Sequence, residues 1–457
     1  MYTYQDLIEV GENEEKRMDF VKSCINKYKT SETYKTALIA EDYYNKRNTT
    51  ILGYQKFLTK ITGEIVPDYI SANYKLVSSF YRRFTKQIVQ YLLGNGISWE
   101  NGDTANKLGA KFENRVKKAT TEALKGSVSY GYWNLDHLEV FTALEFVPLM
   151  DEDNGSVRAG IRFWQLDSTK PLRAVFYEED GFTEYRWEDG KGSITQDKRK
   201  YVLNIKYNEA GMEEIVDGSN YPTLPIIPLY ADDSHQSSLV GLRENIDAYD
   251  LIKSGFCNSI DEASIVYWVV NNAGGMDDVD LAQFVNRIRT LHASYSDDGA
   301  TATPQTIEAP HEGREALLDR IRADLYEDAM ALDTKNIASG AVTATQIEAS
   351  YEPLNSNADD LEYNVTEFIE EILKLANIED TPTYTRSKIV NVQEEIETVI
   401  ASAQYLNDEY VAKKIVTLLG DGDKIDEVLS GLVEDRLMSY DGRGNTEGTG
   451  TENSEGV

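Results

Sequence analysis

The 457-residue chain lacks any run of about 18 apolar residues, so no helix in it is expected to span a bilayer. Cysteine is nearly missing. Cys24 and Cys257 stand far apart and form neither a disulfide framework nor a metal or redox motif. Two lone thiols suit a reducing compartment, and both are expected on apolar helix faces. Of the four histidines (His137, His235, His292, His311) no two have metal-ligand spacing. There is no G-x-x-x-x-G-K-[ST] loop and no G-x-S-x-G turn, which excludes a P-loop motor and a nucleophile elbow. Asp151-Glu-Asp-Asn-Gly and Asp421-Gly-Asp lack the full calcium register with its terminal glutamate and read as acidic turns. No catalytic, cofactor or metal site is expected. The first residues hold no basic region followed by an apolar one, so no secretory signal is expected. Asn48-Thr-Thr and Asn364-Val-Thr then carry no meaning as glycosylation sites. Positive charge is short as well: 46 Lys and Arg face 78 Asp and Glu, a net charge of −32. That balance argues against ordinary nucleic-acid binding, which needs cations to replace phosphate counterions.

The charge that is present is uneven. From Tyr351 to Val457 there are 24 acidic and 8 basic residues, half of the whole excess. Asn73 to Lys125 is locally basic, through Arg82, Arg83, Lys86, Lys107, Lys111, Arg115, Lys117 and Lys118.

Hydrophobic period divides the chain. Residues 1 to about 60 read as helices, with a stripe at Met18, Val21, Cys24, Ile25 and Tyr28 and a second start at Ser31 running to about Arg47. Helices are expected over 71–93, stopped by Gly94-Asn-Gly, and from about Thr104 to Leu124. From Ser127 to about Val216 the pattern alternates. Asp153-Asn-Gly, Glu179-Asp-Gly and Glu188-Asp-Gly punctuate it as hairpin turns, predicting a β-rich insertion.

The most telling stretch is Tyr221 to Glu262. Three prolines in Tyr221–Pro228 forbid helix, and a polar turn follows at Ala231 to Ser238. A helix then begins at Leu242 with apolar residues at 242, 246, 249, 252, 256 and 260. Beyond it come a strand from Ser264, a small helix (Leu281, Phe284, Ile288, Leu291) and a polar connector, Ser294 to Pro310. A second long helix is expected from Glu312 to Leu332, with Leu318, Ile321, Leu325 and Ala329 on one face, and then a small, polar, glycine-containing segment. The next helix carries a heptad-like seam at Leu361, Val365, Phe368, Ile372 and Leu375. Short helices fill 392–437, with Asn391 and Glu394 as a capping pair and Gly420 as a stop. From Asp441 the chain is mostly Gly, Glu, Thr and Asn and reads as disordered.

Several blocks, in this order, carry a resemblance: Tyr43-Tyr-Asn-Lys-Arg-Asn-Thr-Thr-Ile-Leu; Phe84-Thr-Lys-Gln-Ile-Val-Gln-Tyr-Leu-Leu-Gly-Asn-Gly-Ile; Ser129-Tyr-Gly-Tyr; Pro225-Ile-Ile-Pro-Leu-Tyr with Ser237-Ser-Leu and Ile246-Asp-Ala-Tyr-Asp; and Ala338-Ser-Gly-Ala-Val-Thr-Ala. Over roughly residues 35–435 the chain resembles the portal proteins of siphovirus-type tailed bacteriophages. That resemblance implies an α+β, mainly helical portal fold. Its parts would be a wing (1–238, β-rich over 127–228), a stem helix (239–262), an α/β clip (263–311) and a second stem helix (312–332). A tunnel loop (333–345), a long channel helix (346–384), a helical crown (385–440) and the tail (441–457) would follow.

It further implies a ring, usually of twelve copies, at one capsid vertex of the virion, assembled in the host cytoplasm. Through it double-stranded DNA would pass without sequence preference. Its partners would be the terminase large subunit, the major capsid and scaffolding proteins and a head-tail adaptor, with no membrane. The DNA-facing loop would hold Lys335, Asn336, Ile337, Ser339, Gly340 and Thr343. Subunit contacts on the stem would come from Ile246, Tyr249, Ile252, Leu318, Ile321 and Leu325. Without the resemblance, the same loop reads as a helix–helix linker and the acidic C-terminal third equally as a solvated face or a channel lining. The competing reading of the whole is a non-viral helical scaffold or adaptor with a β docking insertion, and a third class is an enzyme with an unfamiliar site.

Overall fold

The computed structural model describes residues 2–60, 63–69, 71–207, 213–263, 267–271, 277, 279–280, 282–284, 286, 301–305, 311–335, 344–387, 392–420, 424–425 and 428–431. Outside them fall Asn336, Ile337, Ser339, Gly340 and Thr343 of the expected loop, Leu281, Ile288 and Leu291 of the small helix, most of the 263–311 segment, Asn391 and the 441–457 tail.

In chain order the described elements begin with α1 (Tyr4–Val10), α2 (Glu14–Tyr28), α3 (Glu32–Tyr44), α4 (Thr49–Gly53), β1 (Phe57–Thr59), β2 (Ile65–Pro67), α5 (Phe80–Leu93), β3 (Ile97–Trp99), α6 (Thr104–Leu108) and α7 (Phe112–Gly126). The β-rich part holds β4 (Val128–Asn134), β5 (His137–Thr142), β6 (Phe146–Met150), β7 (Val157–Trp164), β8 (Leu172–Glu178), β9 (Gly181–Glu188), β10 (Lys191–Arg199), β11 (Val202–Tyr207), β12 (Glu213–Ser219) and β13 (Ile226–Tyr230). Then come α8 (Arg243–Ala263), β14 (Tyr267–Asn271), β15 (Thr301–Gln305), α9 (His311–Asp328), α10 (Ala344–Ala376), β16 (Pro382–Tyr384), α11 (Val392–Ser402) and α12 (Asp408–Leu418). Helix and sheet are both present, with helix dominant, as the α+β reading expects.

The chain forms two compact units, 1–342 with 346–387, and 343–345 with 388–457. In the first, residue alternation builds the layers. One face of the three-stranded antiparallel sheet β13-β4-β5 (Trp133, Leu138, Val140, Ile227, Leu229) packs under α5, α7 and α10. The opposite face (Tyr130, Tyr132, Phe141) packs against Phe146, Val175, Tyr177 and Phe182 of the five-stranded antiparallel sheet β10-β9-β8-β7-β6. The far side of that second sheet (Val147, Ile161, Phe163, Phe176, Tyr185) is covered by Leu7 of α1 and Phe20, Val21, Cys24 and Ile25 of α2. Every expected Gly turn joins neighbouring strands. Between β9 and β10, Asp189 (φ 48°) and Gly190 (φ 79°) are both left-handed, as a type I′ turn needs. In the second unit, Asn407 caps α12 by accepting Tyr410 N–H at 2.7 Å, and Gly420 follows its end at φ 84°.

Five expectations are corrected. Helix does not begin at 71: residues 71–79 are not helical and α5 starts at Phe80. The 104–124 helix is two, broken at Gly109 (φ 84°). The polar 294–310 connector contains β15, paired antiparallel with β14. The helix expected to Leu332 ends at Asp328, where Met330 turns left-handed (φ 48°). The 346–384 helix spans Ala344–Ala376, and β16 after it pairs with β3. Its seam packs on α5, α7 and the three-stranded sheet of its own chain.

Candidate functional site

Helices α8 and α9 run antiparallel. Asn245 Nδ2 donates to Asp328 Oδ2 at 2.9 Å near one end, and Arg314 Nη1 donates to Ser259 Oγ at 2.6 Å near the other. The links are equally far apart along both helices (245 to 259, 328 to 314), which fixes the register. An aromatic cluster seats the pair on α5. Phe80 meets Tyr249 edge-on at 5.0 Å, Phe84 meets Tyr326 at 5.1 Å, and Arg83 Nη1 donates to the Tyr326 hydroxyl at 2.7 Å. Such edge-to-face pairs each add about 0.5–1.5 kcal/mol beyond area burial.

The other flank of α8 is polar and buried. Asp250, Ser254 and Asn258 recur every four residues and are 0–5% exposed. The segment before α5 lies along them, with every second backbone N–H turned to α8. Tyr74 N–H donates to Asn258 Oδ1 (2.7 Å), Leu76 N–H to Ser254 Oγ (2.9 Å) and Ser78 N–H to Asp250 Oδ1 (2.8 Å). Two extended residues advance about 6.6 Å and four helical residues about 6 Å, so the two periods match over three bonds. This is why 71–79 is not helix: its backbone donors are taken by side chains of α8. The spacing Asp-x-x-x-Ser-x-x-x-Asn, opposite the apolar stripe, was the available signal in the sequence.

Two blocks far apart in the chain meet here. Tyr43 Oη donates to Asp247 Oδ1 (2.5 Å), and Asn48 Nδ2 donates to Asp250 Oδ2 (2.9 Å). Burial pushes the Asp250 carboxyl above the usual aspartate range although both donors pull it down. Burial also raises the Tyr43 phenol. These contacts anchor α8 to α3 and α4.

Past α9 the chain is clamped at the base of the expected loop. Arg322 grips Asp333 with two bonds, at 2.8 and 2.6 Å, and lies over the Tyr326 ring at 4.9 Å. Burial would raise the Asp333 carboxyl, but Arg322 and the Lys335 N–H outweigh it and hold it low. Gln87 of α5 bonds both the Leu332 carbonyl (3.0 Å) and its N–H (3.1 Å). A cleft of about 510 Å³ opens beside this clamp, lined by Asp319, Arg322, Tyr326, Lys335, Ser350 and Pro353. Pro353 lies inside α10, and a proline there supplies no N–H to the carbonyl four residues back.

The expected site residues distribute as follows. Lys335, the described member of the loop set, is exposed and reaches back to Asp319 (Nζ–Oδ1 3.3 Å). Among the stem residues, Ile246 and Leu325 are buried in the core with Phe80 and Phe84, so they are consumed within the chain. Tyr249, Ile252, Leu318 and Ile321 are half-buried. Among the described residues the apolar side chains these helices leave open are Leu251, Ile260 and Leu317, at 44%, 49% and 47% exposure; the sequence reading placed Ile260 in the apolar stripe but named none of the three as a subunit contact. On α10 the apolar stripe from Tyr351 to Leu373 is buried, while the helix carries eight carboxylates and one lysine. Asp151 accepts from Asp153 N–H (3.0 Å) and Gln5 Nε2 (3.0 Å), which closes the acidic turn. Among the described residues no group of three His, Cys, Asp or Glu could hold a metal ion, and no helix is long and apolar enough to cross a membrane.

The family model for phage portal proteins of the SPP1 Gp6-like type matches residues 23–422. The chain belongs to this portal protein family. Its curated relatives include the portal protein of Clostridium phage phiCD119, 26% identical over 239 residues, covering 47% of this chain and 53% of the relative. Another is the portal protein of Bacillus phage SPP1, 22% identical over 373 residues, covering 74% and 72%. The chain therefore spans about half the length of the first relative. Among solved structures, it is similar to a chain from the neck of an empty gene transfer agent particle (TM-score 0.44, 11% identity, 75% of this chain and 90% of that one). A chain from the virion of a native gene transfer agent is similar too (TM-score 0.43, 13% identity, 74% and 89%). The blocks that suggested a portal protein from the sequence include the two that meet through Tyr43–Asp247 and Asn48–Asp250.

Proposed function

We propose that this portal protein assembles as a closed ring, usually of twelve copies, at one vertex of the virion capsid after assembly in the host cytoplasm. There it serves as the conduit for double-stranded DNA during packaging and ejection. On this reading the four-layer body up to about residue 238 is the wing, α8 and α9 are the stem, and the segment between them is the clip. The clip holds the terminase large subunit and later the head-tail adaptor, and the wing meets capsid and scaffolding proteins. The role is structural and not catalytic.

The observation that carries the proposal is the antiparallel α8–α9 pair. One side is locked to α3, α4 and α5, while Leu251, Ile260 and Leu317 remain open to a neighbour. Surfaces of this kind, repeated head to tail, close into rings. The clamp Arg322–Asp333 and the contact Lys335–Asp319 set where the loop toward DNA begins. Electron microscopy of the purified protein tests the proposal: class averages should show rings with a hollow axis. A monodisperse monomer at about 50 µM across low and high salt, at an affinity weaker than about 6 kcal/mol per contact, refutes it.

A further inference from the structure

The basic segment singled out in the sequence has no role in the reading above. Three of its cations lie on α5, and the others fall on α6 and α7. Lys107, Lys111 and Lys118 are exposed and Arg115 is half-buried. Lys111, Arg115 and Lys118 follow the three- and four-residue spacing of one helix face. Among the described residues none of these four cations lies in an ion pair. The carboxylate on their own helix nearest its start, Glu113, is turned toward Ile97 N–H (3.4 Å), and Glu122 is bound to Lys125 (2.9 Å).

This placement is unfavourable in the isolated chain. Like charges at these spacings repel. Lys111 stands at the N-cap of α7 without a side-chain cap, where the helix dipole disfavours a cation. Among the described residues no carboxylate closes an ion pair with this stripe, although Glu122, one turn beyond Lys118, feels its charge.

The same chain carries the complement. Helix α10 exposes Glu348, Glu352, Asp360 and Glu367 to solvent, and Lys374 is its one cation. A head-to-tail ring needs two different, mutually complementary surfaces on every protomer. At −32 per chain, like-charged protomers repel unless opposite charges meet where they touch. We propose that the cationic α6–α7 stripe of one protomer docks on the acidic solvent face of α10 in a second copy of this chain, and that this contact steers and holds the ring. The inference rests on the ring reading. Duplex DNA, the other polyanion that could fit the stripe, faces the repulsion of the whole acidic body, whereas in a ring each stripe meets the same neighbouring surface at a fixed position.

The experiment uses the full chain and two charge-reversed variants. One carries Lys111→Glu, Arg115→Glu and Lys118→Glu; the other carries Glu352→Lys, Asp360→Lys and Glu367→Lys. Circular dichroism and thermal melting establish that both fold, and a control with Lys16→Glu and Lys46→Glu reverses exposed cations elsewhere. Mass photometry and negative-stain images are then read at about 0.1 M salt. The native chain and the control should form rings. Each triple variant alone should lose them, with association weakened about tenfold per reversed charge. Mixed in equal amounts, the variants should recover rings in which the two alternate. Rings from either triple variant alone, or no recovery in the mixture, overturn the inference while leaving the ring reading intact. Intact rings that lose binding of a 30-base-pair duplex overturn it in favour of DNA. A native chain without rings removes both.

Discussion

Asp250 offers the sharpest test of how α8 is held. It is 0% exposed and serves two donors, the buried Asn48 Nδ2 and the half-buried Ser78 N–H. Asp250→Ala leaves both without an acceptor. An orphaned buried donor costs about 1–3 kcal/mol and the half-buried one less, so the loss should reach about 2–4 kcal/mol, reduced by the relief of no longer burying a carboxylate. Asp250→Asn should cost about 1–3 kcal/mol. One amide oxygen can still accept from Ser78, but its NH₂ then faces that of Asn48. Asn48 cannot flip to relieve this, because its own oxygen caps α4 by accepting Ile51 N–H at 3.1 Å. Hydrogen–deuterium exchange on a peptide covering residues 73–79 reads the effect locally. Exchange should speed in the order native, Asp250→Asn, Asp250→Ala, with thermal stability falling in the same order. Unchanged exchange of that peptide in Asp250→Ala would show that the strap is not held by α8, and would sink the account. The pH dependence has a defined sign. The folded-state pKa of Asp250 lies above its ordinary value of 3.8, so its contribution is largest below that value and declines as pH rises through the folded one. The melting-temperature gap between the native chain and Asp250→Asn should therefore narrow from pH 4 to pH 7, and a widening gap contradicts this.

Other consequences are as direct. Gly131→Ala would place a Cβ 2.5 Å from the buried Phe368 ring of α10, so urea unfolding should show about 1–3 kcal/mol of destabilisation, and a neutral result would mean the ring can move aside. Lys125→Met removes the partner of Glu41 (2.5 Å) and Glu122 (2.9 Å); about 1–3 kcal/mol should be lost, and full stability in a thermal melt at pH 7 would deny the network a role. Arg322→Lys keeps the charge but not the two-point grip on Asp333, so amide exchange over 331–335 should rise; equal protection would place the anchor of the loop elsewhere. Duplex binding by the assembled ring should be no tighter than about 1 µM near 0.15 M salt and indifferent to sequence, and a nanomolar, sequence-dependent Kd would refute the conduit reading.

What the amino-acid sequence determined by itself was periodic or local. The Asn-Gly and Asp-Gly turns placed the hairpins, because a tight turn is set by a few adjacent residues, as where Asp189 and Gly190 both take positive φ. The 3.6-residue stripes placed α2, α5, α8 and α10, and the ordered blocks pointed to the portal family. Only the tertiary structure decided which partner each stripe would meet. The seam Leu361–Leu375 read as a face for helix packing, and the fold supplies α5 and α7 together with a sheet of its own chain. Ile246 and Leu325 looked available for a neighbour, yet both lie in a core with Phe80 and Phe84. Residues 71–79 had a helical pattern, but hydrogen bonds to Asp250, Ser254 and Asn258, more than 170 positions away, outcompete an intrahelical ladder. A one-dimensional pattern shows that a face must be buried or a donor satisfied. The choice between partners depends on which distant segments arrive at the same place, and that is a property of the folded chain.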